Sequence, residues 1–409
     1  MEFGKKHVLV WGSVFLLVVG LVLGIRQVYV MFAALALLAP LSYLLSRRTL
    51  DSLAVWRDCP GVMNEGQERR VRLRIANEGM RRRYFFTVED VMPEGLEAVG
   101  QARRLISSLA SGEEAELAYA LRARRRGVYQ VGPVRLGHAD LLGLYNFRRQ
   151  AGEADELVVH PTPERLPDAW VRVSSLRAMQ RPRRRFRGEG TEFYGVRRYV
   201  PGDDLRRVDW KSTARRAQLT VREYERAEAL DCVVALDLAR ADHRGEGDDS
   251  TLEVGVKLAA SVAAQMLARG SSVGLVAAGS EDWSVPSSGE PRQKVRIFEA
   301  LVRVKGDASE SFPQVLAAHG NYFPQGCLIV AISPGLRAEL VVAAAILHRR
   351  GYAVSWMILE ARQRRYQHPA ELTEEQLAAR MSHQGTPAHI IEPGRELAVS
   401  LRRAYRAAR

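Results

Sequence analysis

The first fifty residues contain two long apolar runs that predict a hairpin of two transmembrane helices. The runs extend from Val8 to Gly24 and from Val28 to Leu45, and serine and tyrosine are their only polar side chains. Each run, wound into a helix, is close to the shortest length that crosses the hydrocarbon core of a bilayer. A short break around Arg26 separates the runs, so we expect a tight turn between the helices.

Basic residues flank this pair of runs. Lys5 and Lys6 precede the first run, and Arg47 and Arg48 follow the second. The positive-inside rule then places both ends in the cytoplasm. We therefore expect a multi-pass protein of the bacterial inner (plasma) membrane, with cytoplasmic soluble domains. The alternative is a cleaved signal peptide, but two successive runs with a basic stop favour the hairpin.

From residue 51 to residue 160 the hydrophobic period is two. ERRVRLRIAN and EAELAYALRA alternate apolar and polar positions, and YFFTVEDVMP is a further strand pattern that ends at Pro93. GVYQVGPVRLG supplies two short strands on either side of Gly132 and Pro133. Short strands at this spacing are typical of an antiparallel β-sandwich or a small barrel.

After a linker the period changes again at about residue 230. CVVALDL is a continuous apolar run, which indicates a strand covered on both faces. Helical and strand patterns then alternate through TLEVGVKLAASVAAQMLARG, SVGLVAAG, QKVRIFEALVRV, CLIVAIS, AELVVAAAILHRRG, YAVSWMIL and AHIIEP. This order predicts a doubly wound, mainly parallel, Rossmann-like α/β sheet. The chain as a whole is predicted to be an α+β multi-domain protein, with the hairpin at 1–50, the sandwich at 51–160, a linker and motif segment at 161–229 and the α/β domain at 230–409.

Charge and cysteine content exclude some classes of function. The net charge is +13, and Arg181–Arg187 is one of the basic clusters. One hypothesis is therefore nucleic-acid binding through this cluster, but no recognition motif accompanies it, so no nucleic acid is expected. Attraction to an anionic inner leaflet explains a basic surface equally well. The three cysteines form no CxxC pair, which argues against a disulfide framework or a zinc site.

The segment from Gly188 to Glu225 concentrates acids, bases and one large aromatic side chain. It resembles the hallmark of domain-of-unknown-function family 58 (DUF58), which reads roughly G-x-G-x-E-F, R-x-Y-x-x-G-D-D-x-R-x-I-D-W, A-R and V-x-x-x-E. The matching residues are Gly188, Gly190, Glu192, Phe193, Arg197, Tyr199, Gly202, Asp203, Asp204, Arg206, Asp209, Trp210, Ala214, Arg215, Val221 and Glu225. The resemblance implies a scaffold or adaptor with a von Willebrand factor A-like domain, and a MoxR-type AAA+ ATPase and its client as partners.

We single out nine motif residues as a protein-binding surface or a clamp between domains. They are Arg197, Tyr199, Asp203, Asp204, Arg206, Asp209, Trp210, Lys211 and Arg215. Pro201 and Gly202 are expected to turn the chain, so that Asp203 and Asp204 meet arginines such as Arg197 or Arg215 while Trp210 packs its apolar face. The same network could simply join the two domains. A catalytic role is disfavoured because no His, Ser or Cys partner lies nearby.

The resemblance also identifies the place where an A-type domain would hold a metal ion. Its D-x-S-x-S motif aligns with Asp237, Leu238, Ala239, Arg240 and Ala241, and its later acidic position aligns with Ser333. Both serines have become alanine, and Arg240 is expected to repel a cation. Since magnesium needs about six oxygen ligands, we interpret Asp237 as a relict position and expect no metal and no other cofactor. Asp242, Asp248 and Asp249 are expected to lie in a solvated loop.

These observations predict a non-enzymatic, membrane-anchored adaptor with a cytoplasmic protein-binding domain. It would work with a MoxR-type AAA+ ATPase in the assembly or maturation of a complex. The alternatives are a metal-dependent binder or hydrolase that uses Asp237, and a nucleic-acid binder that uses Arg181–Arg187.

Overall fold

The computed structural model divides the chain into two compact units, Met1–His160 and Pro161–Arg409. The structure describes residues 2–140, 142–168, 170, 187–188, 192–200, 204–225, 231–361 and 372–401.

The first unit begins with two antiparallel apolar helices, α1 (Glu2–Leu23) and α2 (Arg26–Ser46). Gly24 turns the chain between them with φ +64°. Glycine also lets the helices approach closely, because a Cβ atom at Gly20 would lie 3.3 Å from the ring of Tyr29. By length and composition α2 could cross a membrane, and the apolar part of α1, His7–Leu23, is shorter. The prediction of two apolar N-terminal helices is therefore confirmed.

The rest of the first unit is made of β-strands. They are β1 (Leu53–Asp58), β2 (Val62–Asn64), β3 (Glu68–Asn77), β4 (Arg83–Glu89), β5 (Leu96–Val99), β6 (Arg103–Leu109), β7 (Glu114–Ala123), β8 (Gly127–Val131), β9 (Val134–Ala139), β10 (Asn146–Ala151) and β11 (Asp155–His160). Two four-stranded antiparallel sheets, β1-β3-β7-β5 and β10-β9-β4-β6, share one core, and β2-β11-β8 form a smaller mixed sheet.

Alternation along the strands explains this two-layer arrangement. In β3, Val71, Leu73 and Ile75 are fully buried, whereas the arginines between them face solvent. The partner sheet contributes Phe86 and Val88 to the same core. A strand with period two buries one face only, so two such sheets must pack face to face. The antiparallel sheets predicted for this region are confirmed.

A charged network inside the sandwich was not predicted. The side chains of Arg57 and Asp90 are almost completely buried, and Arg57 Nη2 lies 2.7 Å from Asp90 Oδ1. Arg57 Nη1 donates to Asp155 Oδ2 at 2.9 Å and to the carbonyl oxygen of Val131 at 2.8 Å. The hydroxyl of Tyr119 donates to Asp90 Oδ2 at 2.6 Å. Burial alone would lower the pKa of Arg57, but Asp90 and Asp155 outweigh it and raise that pKa, so the guanidinium stays charged.

The second unit contains two sheets and six helices among the residues that the structure describes. Its strands are β12 (Arg187–Gly188), β13 (Glu192–Arg198), β14 (Thr220–Glu225), β15 (Cys232–Leu236), β16 (Val273–Val276), β17 (Val285–Ser288), β18 (Leu328–Ser333), β19 (Ala353–Leu359) and β20 (Ala388–Ile391). Its helices are α3 (Trp210–Arg216), α4 (Thr251–Ala268), α5 (Gln293–Arg303), α6 (Phe312–His319), α7 (Glu339–Arg349) and α8 (Glu374–His383).

The large sheet has the order β17-β16-β15-β18-β19-β20 and is parallel except for the edge strand β17. β15, β18 and β19 are buried along their whole length. One core forms between the sheet and α4 and α5, and a second core forms between the opposite face and α6, α7 and α8. Helix α4 is also apolar and long enough to cross a membrane, but most of it is buried in this core. The predicted parallel-rich sheet is confirmed.

Two helices were missed from the sequence. Both α6 and α8 are short and begin with a capping box, formed by Ser311 and Gln314 in α6 and by Thr373 and Gln376 in α8. Their apolar faces are too short to give a clear helical period, so the start signal was the better indicator. The sequence RELAVSLRRAYRAAR predicts a further helix at the C-terminal end, and its part after Leu401 lies outside the described residues.

Candidate functional site

The motif segment folds as a small antiparallel sheet with one short helix. The strands have the order β12-β14-β13, and α3 lies in the connection from β13 to β14. Val208 bridges to Val221 of β14, and both side chains are buried. The connection is held to β14 by Asp209, whose amide donates to the carbonyl oxygen of Thr220 at 2.9 Å. The amide of Tyr199 donates to the carbonyl oxygen of Leu219 at 2.8 Å.

Two of the motif aspartates act as helix caps. Asp204 Oδ1 accepts from the amide of Arg206 at 2.9 Å, at the start of the 3-10 turn Leu205–Arg207. Asp209 Oδ1 accepts from the amides of Lys211 at 3.1 Å and Ser212 at 3.3 Å, at the start of α3. A carboxylate at this position satisfies amides that have no partner within the helix. Each of these two carboxylates therefore stabilises the start of one helical turn in the motif.

This arrangement corrects the expected pairing of Asp204. Among the described residues Asp204 makes no ion pair with Arg197 or Arg215, and its side chain is exposed. Arg197 Nη1 instead donates to the carbonyl oxygen of Arg198 at 2.9 Å. A cap is preferred because the carboxylate reaches its own backbone two residues later, which costs less side-chain entropy than holding a distant arginine.

Trp210 does not pack its apolar face, contrary to the expectation. Its side chain is 68% exposed. Trp210 is the first residue of α3, and the buried contact with β14 is made two residues earlier by Val208. Exposed neighbours of Trp210 along the chain are Leu205, Arg206, Lys211 and Arg215.

Several motif positions lie outside the described residues. They are Gly190, Pro201, Gly202 and Asp203. The basic cluster also lies outside them, except for the backbone of Arg187 in β12. The hypotheses that involve these residues stay predictions.

The second candidate region lies at the carboxyl end of β15. Asp237 follows this strand and is fully buried. Ser333, the last residue of the neighbouring β18, donates from its hydroxyl to Asp237 Oδ2 at 2.5 Å. The amide of Ala239 donates to Asp237 Oδ1 at 2.9 Å. Burial raises the pKa of Asp237 to about 7, although both of these hydrogen bonds oppose that rise.

Three further side chains surround Asp237, and the sequence reasoning missed their roles. His243 Nε2 lies 2.8 Å from the carbonyl oxygen of Asp237, and burial lowers the pKa of this histidine. Asp242 is mostly buried, and its Oδ1 lies 3.7 Å from Arg337 Nη2. The pair Asp242-His243 directly after a strand was the available signal, but it was interpreted as part of a solvated loop.

The predicted roles of the neighbouring residues need two corrections. Asp248 and Asp249 are exposed as expected, but Asp242 is not. The cation near the carboxylates is Arg337, not Arg240, which is exposed and bonds to Ala308 through its amide. Arg337 arrives through the loop after β18, a contact that the local sequence around Asp237 could not show.

The donor set at this end of the sheet does not fit a magnesium ion. Both oxygens of Asp237 already accept hydrogen bonds, and a pKa near 7 means that the group is partly protonated at neutral pH. Asp242 is the second carboxylate, and it lies beside a guanidinium. Magnesium requires near-octahedral coordination by about six oxygens. Within the described ranges no group of three or more His, Cys, Asp or Glu side chains could hold a metal ion.

Comparison with known proteins gives one family and one curated relative. Residues 195–364 match the family model described as "Protein of unknown function DUF58". The uncharacterized protein YeaD of Bacillus subtilis (strain 168) is 26% identical over 201 residues, which cover 48% of this chain and 48% of the relative. The chain therefore matches about half the length of this relative.

Two of the solved structures that are similar to parts of this chain have TM-scores below 0.5. Part of alpha-2-macroglobulin from Escherichia coli has a TM-score of 0.24 and 19% identity, covering 27% of this chain and 17% of that chain. Proximal thread matrix protein 1 from the mussel byssus has a TM-score of 0.32 and 12% identity, covering 44% of this chain and 47% of that chain.

Proposed function

We propose that the chain, whose residues 195–364 match the DUF58 family model, is a non-enzymatic adaptor of the bacterial inner membrane. Helices α1 and α2 anchor it, and both soluble parts lie in the cytoplasm. The second unit is a von Willebrand factor A-like domain that binds a MoxR-type AAA+ ATPase and a client protein. The observation that carries the binding role is the exposed apolar and basic surface of the motif.

We name this surface the motif face and define it by its exposed side chains. They are Leu205, Arg206, Trp210, Lys211 and Arg215. The buried or capping members of the same motif build the backbone, whereas these five side chains perform no such task in the described part of the chain. Trp and Arg are the residue types that contribute most to protein interfaces. The three cations favour a partner with an acidic surface.

The A-like assignment rests on topology and on the position of Asp237. The parallel sheet is covered by helices on both faces, and Asp237 lies at the carboxyl end of a central strand. Ligands of open α/β sheets bind at this end. With protein groups satisfying Asp237, we propose that the domain binds partners without a bridging metal ion.

The anchor is supported by exposed apolar side chains along both N-terminal helices. Val22 on α1 and Leu37 and Leu45 on α2 are among those with most of their surface exposed. Such a continuous apolar surface is unstable in water and stable in a bilayer. Arg47 and Arg48 directly after α2 favour a cytoplasmic location for the β-sandwich that begins at β1.

The binding role can be tested with one pair of matched variants. The full chain is crosslinked in native membranes and purified as the wild type, as Trp210→Ala and as Tyr322→Ala. Tyr322 is an equally prominent aromatic on the same unit, with 85% of its surface exposed, and it lies outside the motif face. We expect Trp210→Ala to lose an ATPase that Tyr322→Ala retains. Identical sets of crosslinked proteins for all three chains would contradict the proposal.

A further inference from the structure

One end of the β-sandwich lies beside the end of α2. Strand pairing brings together the start of β1 with the end of β3, Leu53 opposite Asn77, and the start of β4 with the end of β6, Arg83 opposite Leu109. The end of β9 lies at the same end, because His138 is opposite Phe86. The two sheets are tied there by Asn77 Nδ2, which donates to the carbonyl oxygen of Leu109 at 3.0 Å.

We call this end the proximal end and define it by four connections. They are residues 47–52 after α2, the loop 78–82, the turn 110–113 and the loop 140–145, in which residue 141 lies outside the described residues and is not part of the definition. The distal end contains the opposite connections, including the loop 90–95 after β4.

Direct contacts with Ser42 and Tyr43 hold the proximal end beside the last turns of α2. The hydroxyl of Ser42 donates to Asp140 Oδ2 at 2.5 Å, and the ring of Tyr43 lies 5.3 Å from that of Tyr145 and 5.8 Å from that of Phe147. Asp140 is buried by these contacts, and Oδ1 accepts from the amide of Tyr145 at 2.7 Å. At 1.5 Å per residue, Ser42 lies about 6 Å before the end of the helix.

The exposed apolar side chains in the last turn of α2 indicate how far along this helix the bilayer extends. Leu41, Leu44 and Leu45 occupy the same last turn as Ser42, and all three are largely exposed. They need an apolar environment at the height where Ser42 meets Asp140. The polar layer on each side of a bilayer is only about 5–8 Å thick. The loop 140–145 therefore lies at headgroup level whenever α2 spans the membrane to its end.

The proximal end presents the side chains that this location requires. Met80 at the tip of one loop is 96% exposed, and Leu142 in the other is 43% exposed. Arg81 and Arg82 follow Met80 and are exposed. Arg47 and Arg48 are exposed as well, and within the described residues none of these four arginines forms an ion pair. Exposed acids at this end are fewer, namely Asp51, Glu78 and Glu113.

The distal end provides an internal contrast. Some of its arginines are paired with carboxylates, since Arg122 forms ion pairs with Glu68 and Glu97, and Arg124 lies 2.8 Å from Glu97. Arg103 at the start of β6 is exposed and forms no ion pair within the described residues. Paired surface charges attract an anionic membrane little, whereas unpaired arginines near the surface attract it strongly. Charge pairing alone therefore does not distinguish the two ends. The contacts with α2 and the exposed side chains of Met80 and Leu142 favour lipid contact at the proximal end.

We propose that the proximal end is a second membrane contact, in which Met80 and Leu142 enter the boundary between headgroups and acyl chains of an anionic bilayer. Arg47, Arg48, Arg81 and Arg82 bind the lipid phosphates. This contact fixes the orientation of the sandwich on the membrane, and it rests on the anchor of the proposed function. Apolar tips between basic side chains are the composition that favours interfacial insertion.

The test places an environment-sensitive fluorophore at single cysteines of the full chain in liposomes of phosphatidylethanolamine and phosphatidylglycerol. The labelled variants are Met80→Cys and Leu142→Cys, with Val91→Cys as the distal control because its exposure of 39% is close to that of Leu142. Each variant also keeps the native cysteines, of which Cys232 and Cys327 are buried and Cys59 is half-buried. The native chain treated with the same fluorophore therefore serves as the blank. At both proximal sites we expect blue-shifted emission and quenching by spin-labelled lipids. At Val91→Cys we expect neither change.

The basic residues are tested in the same samples. The double substitution Arg81→Gln/Arg82→Gln should reduce the ratio of inserted to aqueous probe at Leu142→Cys by about fivefold per arginine in anionic liposomes. In liposomes of phosphatidylcholine alone the substitution should have no effect. An equal reduction in both lipids would overturn the role of the arginines.

A probe within the anchor separates this inference from the proposed function. The probe at Leu37→Cys in α2 can be quenched by the lipids while the probe at Met80→Cys is as exposed to water as the one at Val91→Cys. That result would support the anchor and contradict the second contact. If all four probes are aqueous, the anchor of the proposed function is wrong as well. A Met80 probe that is aqueous in liposomes but shielded in native membranes would overturn the lipid contact in favour of a protein.

Discussion

Two buried carboxylates, Asp90 in the sandwich and Asp237 in the α/β unit, are stabilised in different ways. Asp90 accepts from the guanidinium of Arg57 and from the hydroxyl of Tyr119. Within the described part of the chain, Asp237 accepts from the neutral donors Ser333 and Ala239. The first carboxylate therefore has a full compensating charge, and the second does not.

The partners of a buried acid therefore determine how its contribution to stability depends on pH. A paired acid contributes to the fold over a wide pH range, because removing either partner leaves an uncompensated charge. A buried acid with neutral partners has a pKa raised by burial, so the folded chain loses stability when this acid ionises. The end of β15, where ligands of such sheets bind, contains the second kind.

The largest expected effect comes from breaking the charged pair in the sandwich. Arg57→Ala leaves Asp90 buried without its cation, so we expect the free energy of unfolding of the sandwich to fall by about 3–5 kcal/mol. The control is Arg122→Ala, which removes an exposed pair with Glu68 and should cost far less, because solvent screens the pair. Chemical denaturation of both variants, followed by a signal from the first unit, measures the two losses. Equal losses would show that the buried ion pair contributes no more to stability than the exposed one.

The next effect is the pH dependence that Asp237 imposes. Its pKa is about 7 in the folded chain and 3.8 ordinarily, so the unfolded chain releases this proton first. Stability from this group is complete below pH 4 and is lost as the pH rises through 7. We expect Asp237→Asn to become more stable relative to the native chain by roughly 1–4 kcal/mol between pH 4 and pH 8.

Unfolding curves of the two chains at a series of pH values check this expectation. The difference between the chains removes the contribution of the other titrating groups. Asp282 and Asp307, for example, have lowered pKa values because serine hydroxyls and amides bind their carboxylates. A difference that stays constant with pH would mean that Asp237 is ionised throughout.

A smaller effect distinguishes the two caps of the motif. Asp209→Ala removes the acceptor for two amides of α3 and should destabilise this seven-residue helix by about 1 kcal/mol. Asp204→Ala removes one amide bond of a three-residue turn and should have less effect. Hydrogen exchange at the amides of Lys211 and Ser212 measures the difference. Faster exchange in the Asp204 variant than in the Asp209 variant would contradict the assigned roles.

Local pattern was sufficient for most of the fold. The alternation in ERRVRLRIAN predicted β3, and the unbroken run CVVALDL predicted a strand with helices on both sides, because burial of one face or of two leaves different periods. Helices α6 and α8 escaped because they are too short for a period, although their capping boxes were visible.

The candidate sites were less predictable, because their contacts join distant parts of the chain. Asp90 is 33 residues from Arg57, and Ser333 is 96 residues from Asp237, so no local pattern links either pair. The exposure of Trp210 was also hidden, since a large aromatic side chain is normally expected to pack. The caps at Asp204 and Asp209 were accessible from sequence, because an acid immediately before helix-forming residues is a start signal.

The central claim is that protein groups close the end of the sheet at Asp237, so that this domain works without a metal ion. Calorimetric titration of magnesium, manganese and calcium into the full chain at pH 8, where Asp237 is ionised, tests it most directly. We predict no binding heat and no shift in Tm, with Asp237→Asn behaving identically. Binding of one ion per chain that disappears in Asp237→Asn would contradict the account.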